Sequence, residues 1–433
     1  MGIFANPLTD LLEYEDFSRD FLKGTDPVGM TGCIDSEKVH FMSTFLGEKK
    51  VQLVVTYNEQ RAREIEEDYK LFCSQVYVIP PRDLIFFSAD LQGNAIIAER
   101  MKAFAALYQN EAKVIITTMD ALMSAAVPFE QLMSHVIKLK EGDELDLEKL
   151  KHDLTVMGYE RVGRVEEPGQ FTVHGGIADV YPLTMEVPVR IELWGDEIDT
   201  IRCFEPQSQR SMDQIECVSV FPAAEVIADD TARRRAVGMI QNELESQLAV
   251  FKKAKEPDKA KRLREETNRI LEALGEDVVL EAPDSYISYF YPRTVQLSEY
   301  FDEKNTLVFL DEPMRLKERG DGVQAEFEES MKNRLEQGFL LPGQTALLTP
   351  AKHVLAAFER GQVAALSSLD SRLADFTVVN SYAVNVQNMN TYREGFELLI
   401  KDLTHWKKEK YRIVLLCPSR TRANRIVNQL YRV

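Results

Sequence analysis

Residues 29–36 read GMTGCIDS, and a helical pattern begins at the end of this stretch. A phosphate-binding loop of the form G-x-x-x-x-G-K-[S/T] uses glycines to bring backbone N–H groups onto phosphates. It places a lysine on the β- and γ-phosphates and a hydroxyl on Mg²⁺. Gly29 and the hydroxyl of Ser36 stand at positions that this pattern requires, and Gly32 supplies a further glycine inside the loop. The spacing therefore predicts a nucleotide-binding type of fold.

Two replacements remove the chemistry of such a loop. Ile34 stands in place of the second glycine and Asp35 in place of the lysine. A lysine about 4 Å from a phosphate gains roughly 4 kcal/mol of electrostatic attraction per unit charge at an effective dielectric of about 20. An aspartate at the same place would be repelled by the phosphate to a similar extent. Ile34 adds a β-branched side chain where glycine permits close approach of the backbone. We expect a degenerate, inactive site; the alternative is an accidental Gly/Thr turn.

Composition indicates a globular chain of several domains. The 433 residues are 45% hydrophobic and carry a formal net charge of −18, so two to four domains are expected. No apolar run reaches the roughly 18–20 residues of a membrane helix. The cysteines are scattered and the amino terminus lacks a basic secretory start, which favours a cytoplasmic location without membrane contact and without a metal site. The acidic field disfavours DNA binding, and the basic residues between 252 and 264 alternate with acids as on a solvated helix.

The first 135 residues alternate strand and helix patterns. The predicted elements are a strand at Val51–Thr56, a helix from Asn58 to Tyr69, a strand at Val76–Ile79, a helix at Ala95–Tyr108 and a strand at Val114–Thr117. Such alternation is typical of a parallel sheet with crossover helices. Together with the glycine-rich turn, it predicts the first part of a degenerate RecA-like domain at residues 1–135.

Residues 136–225 are predicted to form a small α/β domain inserted into the first. Asp146 is a plausible N-cap of a helix that ends at Gly158. The remaining elements are strands at Phe171–Val173, Ala178–Tyr181, Val189–Trp194 and Ile198–Phe204, the last two joined by a turn at Gly195-Asp196.

The RecA-like domain is predicted to resume at 226–375 and a further α/β domain to begin at 376–433. An apolar strand, Leu307–Leu310, runs into Asp311 and Glu312, like the strand that holds Mg²⁺ and a catalytic glutamate in P-loop motors. In the last segment we predict a helix at Glu397–Lys408, a strand at Arg412–Cys417 and a helix capped by Ser419. Because the chain stops soon after this helix, we expect a fragment of a longer protein.

The hairpin at 189–204 predicts an exposed functional surface. Side chains alternate across a strand, so Val189, Ile191 and Leu193 face the core. The side chains predicted to face solvent are Arg190, Glu192 and Trp194, with Thr172 and His174 on the preceding strand. An outward tryptophan near an arginine is typical of an interaction hot spot. The alternative is that another domain of the chain covers Trp194.

Around this hairpin the sequence resembles a known family. The matching segments are residues 158–160, 167–182, 190–199 and 204–211. They closely resemble the UvrB-homology module of bacterial transcription-repair coupling factors, and the order of the predicted elements agrees along the whole chain. The resemblance implies that nucleotide binding has been lost. It also implies that the DNA-clamping hairpin of UvrB is missing, which agrees with the short segment Pro80–Ala98.

The resemblance implies a binding role for the inserted domain. In the family, two arginines and an aromatic residue bind UvrA. The second arginine corresponds to Arg190, the aromatic to Trp194 in place of the usual phenylalanine, and the first arginine to His174. An imidazole, mostly neutral at pH 7, weakens a charge-assisted contact.

The resulting hypothesis is a non-catalytic adaptor that recruits UvrA and takes part in autoinhibition. It has no catalytic residues and no cofactor of its own. ATP, Mg²⁺, DNA and RNA polymerase belong to the motor part of the full-length family proteins. The alternative is a UvrB-like, ATP-dependent, helicase-type DNA repair protein.

Overall fold

The computed structural model describes most of the chain. The described residues are 8, 11, 13–48, 51–82, 92–275, 283–369, 376–386, 392, 396–415, 417 and 419–431. The predicted absence of a clamping hairpin in Pro80–Ala98 concerns mainly residues 83–91, which lie outside the described residues.

The strands, in chain order, are β1 (Val28–Thr31), β2 (Val51–Thr56), β3 (Val76–Ile79), β4 (Val114–Thr118), β5 (Ala125–Ala126), β6 (Ile137–Lys140), β7 (Glu160–Arg161), β8 (Gln170–His174), β9 (Ile177–Val180), β10 (Val189–Trp194), β11 (Glu197–Phe204), β12 (Ser211–Gln214), β13 (Cys217–Val220), β14 (Val295–Gln296), β15 (Thr306–Asp311), β16 (Val363–Ser367) and β17 (Asn380–Ala383).

The α-helices are α1 (Tyr14–Lys23), α2 (Asp35–Ser43), α3 (Glu59–Tyr69), α4 (Gln92–Tyr108), α5 (Met119–Met123), α6 (Phe129–Met133), α7 (Leu147–Val156), α8 (Asp230–Ala254), α9 (Pro257–Gly275), α10 (Ile287–Phe290), α11 (Pro313–Glu336), α12 (Ala351–Ala356), α13 (Phe396–Lys408) and α14 (Arg420–Leu430). Short 3₁₀ helices lie at Pro283–Tyr286, Leu297–Tyr300, Glu303–Asn305 and Pro342–Thr345.

A parallel sheet of seven strands forms the centre of the larger part, in the order β17-β1-β16-β15-β2-β4-β3. Every neighbouring pair in it is parallel. β2 and β15 are buried along their whole length, as expected of parallel strands covered on both faces. The predicted α/β class with a RecA-like parallel sheet and an additional smaller sheet is confirmed.

Aromatic packing fixes the helix that follows β1. The ring of Phe17 on α1 contacts that of Phe41 on α2 with centroids 4.9 Å apart, and Phe21 contacts Phe309 of β15 at 5.2 Å. Such ring pairs add to the free energy gained from burial. α1 therefore packs against both α2 and the sheet.

A second sheet of six strands, in the order β12-β11-β10-β9-β8-β7, lies within residues 160–214. Its pairs are antiparallel except for β7 with β8. One face packs on α7, whose N-cap is Asp146 as predicted, with Oδ1 accepting from the N–H of Glu148 at 2.9 Å. Leu150 and Leu154 of this helix join a buried cluster with the inward residues of β8–β11.

The chain divides into two compact units, residues 1–385 and 386–433. In the second unit α13 and the Ser419 cap of α14 are as predicted, with Oγ of Ser419 accepting from the N–H of Arg422 at 3.2 Å. The strand predicted at Arg412–Cys417 is wrong, since residues 411–415 have no strand assignment. An apolar run becomes a strand only when another strand pairs with it. The domain boundaries at 135, 225 and 375 stay predictions, and β17 pairs with β1 in the large sheet.

Candidate functional site

The loop after β1 lies at the carboxyl edge of the large sheet, where ligands commonly bind in α/β folds. The N–H of Cys33 donates to the carbonyl of Ser367 at 3.2 Å. Gly32 has a positive φ of 82°. A Cβ added there would lie 2.0 Å from the carbonyl oxygen of Val384. Only glycine fits at this position, because the backbone after β17 packs directly on the loop.

The other glycine of the loop also lies in close packing. Gly29 belongs to β1, and a Cβ added there would lie 3.0 Å from Cγ1 of Val378. Ile34 is the N-cap of α2 and supplies no side-chain cap. Ser36 lies in the first turn of α2, and its side chain is outside the described ones. Both predicted glycine positions are therefore explained by contacts within the chain.

Lys38, in the first turns of α2, bridges the two acidic residues at the end of β15. Its Nζ lies 2.7 Å from Oδ1 of Asp311 and 2.6 Å from Oε1 of Glu312. The exposed fractions of these side chains are 0% for Lys38, 1% for Asp311 and 14% for Glu312. The sequence correctly places Asp311 and Glu312 at the end of a buried strand, but the group between them is an ammonium of the same chain.

Further donors complete this cluster. Oδ2 of Asp311 accepts from Oγ1 of Thr56 at 2.8 Å and from Nε of Arg61 at 3.3 Å. The guanidinium of Arg61 also donates to the backbone carbonyl of Asp35 at 3.0 Å. We call Lys38, Thr56, Arg61, Asp311 and Glu312 the Lys38 network. It joins α2, α3 and the carboxyl ends of β2 and β15.

Glu312 is held in an uncommon backbone conformation. Its φ is 54°, in the left-handed region, which is unfavourable for a residue with a Cβ. Its Oε1 accepts from the backbone N–H of Ser368 at 2.8 Å and from the hydroxyl of Ser368. Lys38 and Ser368 thus fix the carboxylate while the backbone turns into α11.

The electrostatics of the network favour the charged forms. Burial lowers the pKa of Lys38, but the facing carboxylates of Asp311 and Glu312 outweigh burial and the net pKa is raised. Burial raises the pKa of Glu312, yet hydrogen bonds from Lys38 and Ser368 outweigh it and the net pKa is lowered. Both groups are therefore charged near neutral pH.

Asp35 takes a peripheral place beside this network. Its side chain is 65% exposed, with Oδ1 at 3.7 Å from Nζ of Lys38 and 3.6 Å from Nη2 of Arg61. Sequence reasoning singled out Asp35 and missed Lys38 and Arg61. One signal was present: Lys38 lies three residues after Asp35, so the two share a helix face.

The outward face of the smaller sheet is the second candidate. Directly paired residues share a face; His174 pairs with Ile177, and Ile177 with Glu192. We call His174, Ile177, Arg190, Glu192 and Trp194 the open face. His174 and Trp194 are exposed as predicted, while Arg190 and Glu192 are half-buried and Thr172, predicted to face solvent, is buried.

Trp194 lies at the tip of this face, and its side chain is 84% exposed. The turn residue Gly195 follows it with a φ of 66°. On the other side, the N–H of Leu193 donates to the carbonyl of Gly176 at 2.9 Å, so a second glycine turn lies beside the tip. Glycines on both sides supply no side chains that could cover the indole ring.

Arg190 marks the boundary between the open and covered parts of the face. Its Nε and Nη2 donate to the carboxylate of Asp179 at 2.8 and 2.7 Å, and its guanidinium lies 4.8 Å from the ring centroid of Phe204. These hydrogen bonds to Asp179 raise the pKa of Arg190. Within the described part of the chain Nη1 forms no hydrogen bond.

Beyond Arg190 the chain covers its own outward face. Phe204 is fully buried with Val165 and Tyr181. Nε2 of Gln209 donates to the carbonyl of Val165 at 3.1 Å and ties the covering loop in place. The two ends of one sheet face therefore differ, since one end is sealed by a loop and the other exposes Trp194 and Ile177.

In the described ranges, no helix has both the length and the apolar composition that crossing a membrane requires.

Comparison with known proteins places these features in a family context. The family described as the UvrB interaction domain matches residues 137–225, which contain the whole open face. The transcription-repair-coupling factor of Bacillus subtilis (strain 168) is 27% identical over 431 residues, covering 98% of this chain and 36% of that protein.

A second relative agrees with this match. The transcription-repair-coupling factor of Staphylococcus haemolyticus (strain JCSC1435) is 30% identical over 334 residues, covering 75% of this chain and 28% of that protein. The chain thus spans about a third of the length of these curated relatives. The resemblance that the sequence indicates is confirmed: over almost its whole length this chain is similar to the amino-terminal UvrB-homology module of transcription-repair coupling factors.

Proposed function

We propose that this chain is a non-catalytic adaptor module of a transcription-repair coupling factor and that it recruits UvrA through the open face. The observation that carries the proposal is the exposure of Trp194, 84% of whose side chain is accessible. It lies within the residues that match the UvrB interaction domain. Exposed tryptophan and arginine side chains are enriched among residues that dominate binding energy.

The Lys38 network supports the non-catalytic part of the proposal. A magnesium-bound nucleotide needs free carboxylate oxygens near β15 and a cation facing its phosphates. Here Asp311 and Glu312 both accept from Lys38, and Asp35 adds a negative charge at the helix start. The residues present do not fit a nucleotide, and we assign ATP and Mg²⁺ to the motor part of the family proteins.

The remaining partners follow from the same proposal. RNA polymerase and DNA would be bound by parts of the longer family proteins that this chain does not match. In a resting full-length protein the open face would be covered by another domain, which would make the module part of an autoinhibitory contact. This role belongs to the cytoplasm.

Calorimetric titration of the chain with UvrA, without added nucleotide, tests the adaptor role. We expect saturable binding at one site. Arg190→Glu should weaken this binding by about 1–4 kcal/mol, because it reverses the charge of a residue of the open face. A folded chain that releases no binding heat and shows no complex in sedimentation would contradict the proposal.

Equilibrium dialysis with Mg²⁺-ATP tests the alternative of a UvrB-like ATPase. The adaptor proposal expects no retention of nucleotide, whereas the ATPase alternative expects binding in the micromolar range. A DNA-binding module would in addition show an affinity that falls steeply with salt. Retention of ATP by the wild-type chain would favour the ATPase over the adaptor.

A further inference from the structure

Ile177 is an outward apolar residue that sequence reasoning did not single out. Its side chain is 40% exposed, although it opens β9 in the middle of the sheet. Its direct neighbours across the strands are His174 on β8 and Glu192 on β10. A strand residue flanked by polar side chains on both sides normally gains little by being apolar in water.

Ile177 and Trp194 lie close enough to act together. Glu192 is the direct partner of Ile177, and Trp194 follows two positions later on the same strand. Diagonal positions of this kind lie roughly 7–8 Å apart, within reach of an aromatic side chain. The two side chains form an apolar strip at the open end of the face.

The two ends of this face differ in how apolar side chains are covered, and this difference indicates that the strip is an interaction site. The chain buries Phe204, which is also outward, beneath Val165 and its loop. At the other end it leaves both Ile177 and Trp194 exposed. Single exposed apolar residues are common, but adjoining ones at an uncovered sheet end are typical of interaction sites.

The polar groups around the strip define what can dock there. The carboxylate of Glu192 already accepts from Oγ1 of Thr200 at 3.1 Å. Asp179 fixes the guanidinium of Arg190 through two of its nitrogen atoms, which leaves Nη1 pointing away from that pair. The strip therefore fits an apolar pocket whose rim carries one hydrogen-bond acceptor.

We propose that Ile177 is the centre of the contact with UvrA and that it enters, with Trp194, one apolar pocket of that protein. Arg190 donates from Nη1 to an acceptor on the rim of the pocket, and Asp179 is the residue that positions Arg190. This inference rests on the proposed function, and it adds Ile177 and Asp179 to the residues that determine recognition.

The test compares UvrA affinities of full-chain variants by calorimetry. Ile177→Ser should weaken binding by about tenfold, a typical cost for an apolar contact residue near an interface centre. Ile177→Val should retain most of the affinity, because it keeps a branched apolar side chain. The matched control is Leu71→Ser, which removes an apolar side chain 69% exposed on the larger part of the molecule and should leave the affinity unchanged.

A second pair of variants separates positioning from general damage. Asp179→Asn should weaken binding and change its dependence on salt, because it removes the carboxylate that orients the guanidinium of Arg190 and offsets its charge. Ile177→Ser should leave the salt dependence unchanged, because it removes only apolar area. If Ile177→Ser does not keep the wild-type melting temperature, Ile177→Thr takes its place in the same comparison.

The outcomes are distinguishable. A wild-type chain that does not bind UvrA overturns the proposed function itself. Wild-type binding together with an unchanged affinity of a folded Ile177 variant overturns only this inference and moves the centre of the contact elsewhere. Equal losses for Ile177→Ser and Leu71→Ser would also overturn it, since the effect would not be specific to the open face.

Discussion

The loop after β1 and the open end of the smaller sheet differ in whether their candidate functional side chains are buried or exposed. In the Lys38 network the charged atoms are buried and bonded to one another, with Nζ of Lys38 at 2.7 and 2.6 Å from its two carboxylates. On the open face the largest apolar side chain, Trp194, is 84% exposed. The charged groups of the first site are paired within the chain, whereas the second site leaves apolar surface exposed.

This comparison separates a sequence pattern from the contacts that its residues make in the structure. The loop keeps the first glycine, an internal glycine and the hydroxyl position of a nucleotide-site pattern, but Gly32 packs against Val384 and Lys38 lies between Asp311 and Glu312. A buried ion pair adds little net stability, yet removing one partner leaves a costly buried charge. A substitution in such a buried network should therefore cost stability, whereas an exposed side chain can change with little effect on folding.

The largest expected effect is on stability, from Lys38→Met. It leaves Asp311 with Arg61 alone and Glu312 without a cationic partner, which should lower the free energy of unfolding by about 3–5 kcal/mol. Urea unfolding followed by circular dichroism measures this value.

Lys70→Met is the matched control for Lys38→Met. Nζ of Lys70 lies 2.7 Å from Oε1 of Glu66, but the lysine side chain is 52% exposed, and surface pairs of this kind contribute about 0–1 kcal/mol. Similar small losses for both lysine variants would show that the Lys38 network does not hold the loop.

The next largest effect concerns binding and uses Trp194→Ala. It should weaken UvrA binding by about 2–4 kcal/mol and change the free energy of unfolding by no more than about 0.5 kcal/mol, because the indole makes few contacts in the chain. Calorimetry and urea unfolding give the two numbers. A large loss of stability with unchanged UvrA binding would mean that Trp194 serves the fold and does not contribute to the interface.

The pH dependence of stability should follow the Lys38 network. The pKa of Glu312 is lowered from its ordinary value of 4.5. Its contribution to the free energy of unfolding is therefore present above pH 4.5 and is lost as the pH falls through the folded-state pKa. The pKa of Lys38 is raised above its ordinary value of 10.5. Its contribution to the free energy of unfolding is therefore fully present below pH 10.5 and is lost as the pH rises through the folded-state pKa.

The measurable consequence is the stability difference between wild type and Lys38→Met. It should be largest near neutral pH and narrow as pH falls through 4.5, by up to about 1.4 kcal/mol per pH unit for each proton bound. Urea unfolding of both proteins over this range measures it. A difference that does not change with pH would mean that the carboxylates do not depend on Lys38.

The smallest expected effect comes from His174→Arg, which introduces the arginine that the family resemblance implies at this position. A guanidinium makes stronger charge-assisted hydrogen bonds than an imidazole, so UvrA binding should become about 1 kcal/mol tighter, or roughly fivefold. Ser211→Arg, which adds the same charge on the exposed edge strand β12, is the control. Equal gains from both variants would indicate a general effect of charge.

Much of the fold could be predicted because its signals are local. The buried strand Val51–Thr56 and the cap at Asn58, whose Oδ1 accepts from the N–H of Arg61 at 2.8 Å, both follow from adjacent residues. The outward position of Trp194 follows from the alternation along β10. The failed strand at Arg412–Cys417 had an apolar run, but among the described residues no strand pairs with it.

The Lys38 network could not be predicted from local patterns. Lys38 and Asp311 lie 273 positions apart, and only the order of strands in the sheet brings them together. Ile177 was missed for a different reason. It follows two glycines at a turn, where the sequence does not show which residues of the next strand face outward. Its exposure also depends on the loop at Val165, which covers only the other end of the face.

Amide hydrogen exchange on the chain, alone and with UvrA, tests the central claim most directly, because it reports on both sites at once. We predict slower exchange at residues 174–177 and 192–197 when UvrA is added, with no change at residues 31–38. Protection confined to residues 31–38, or no protection at the open face while UvrA is bound, would contradict the account.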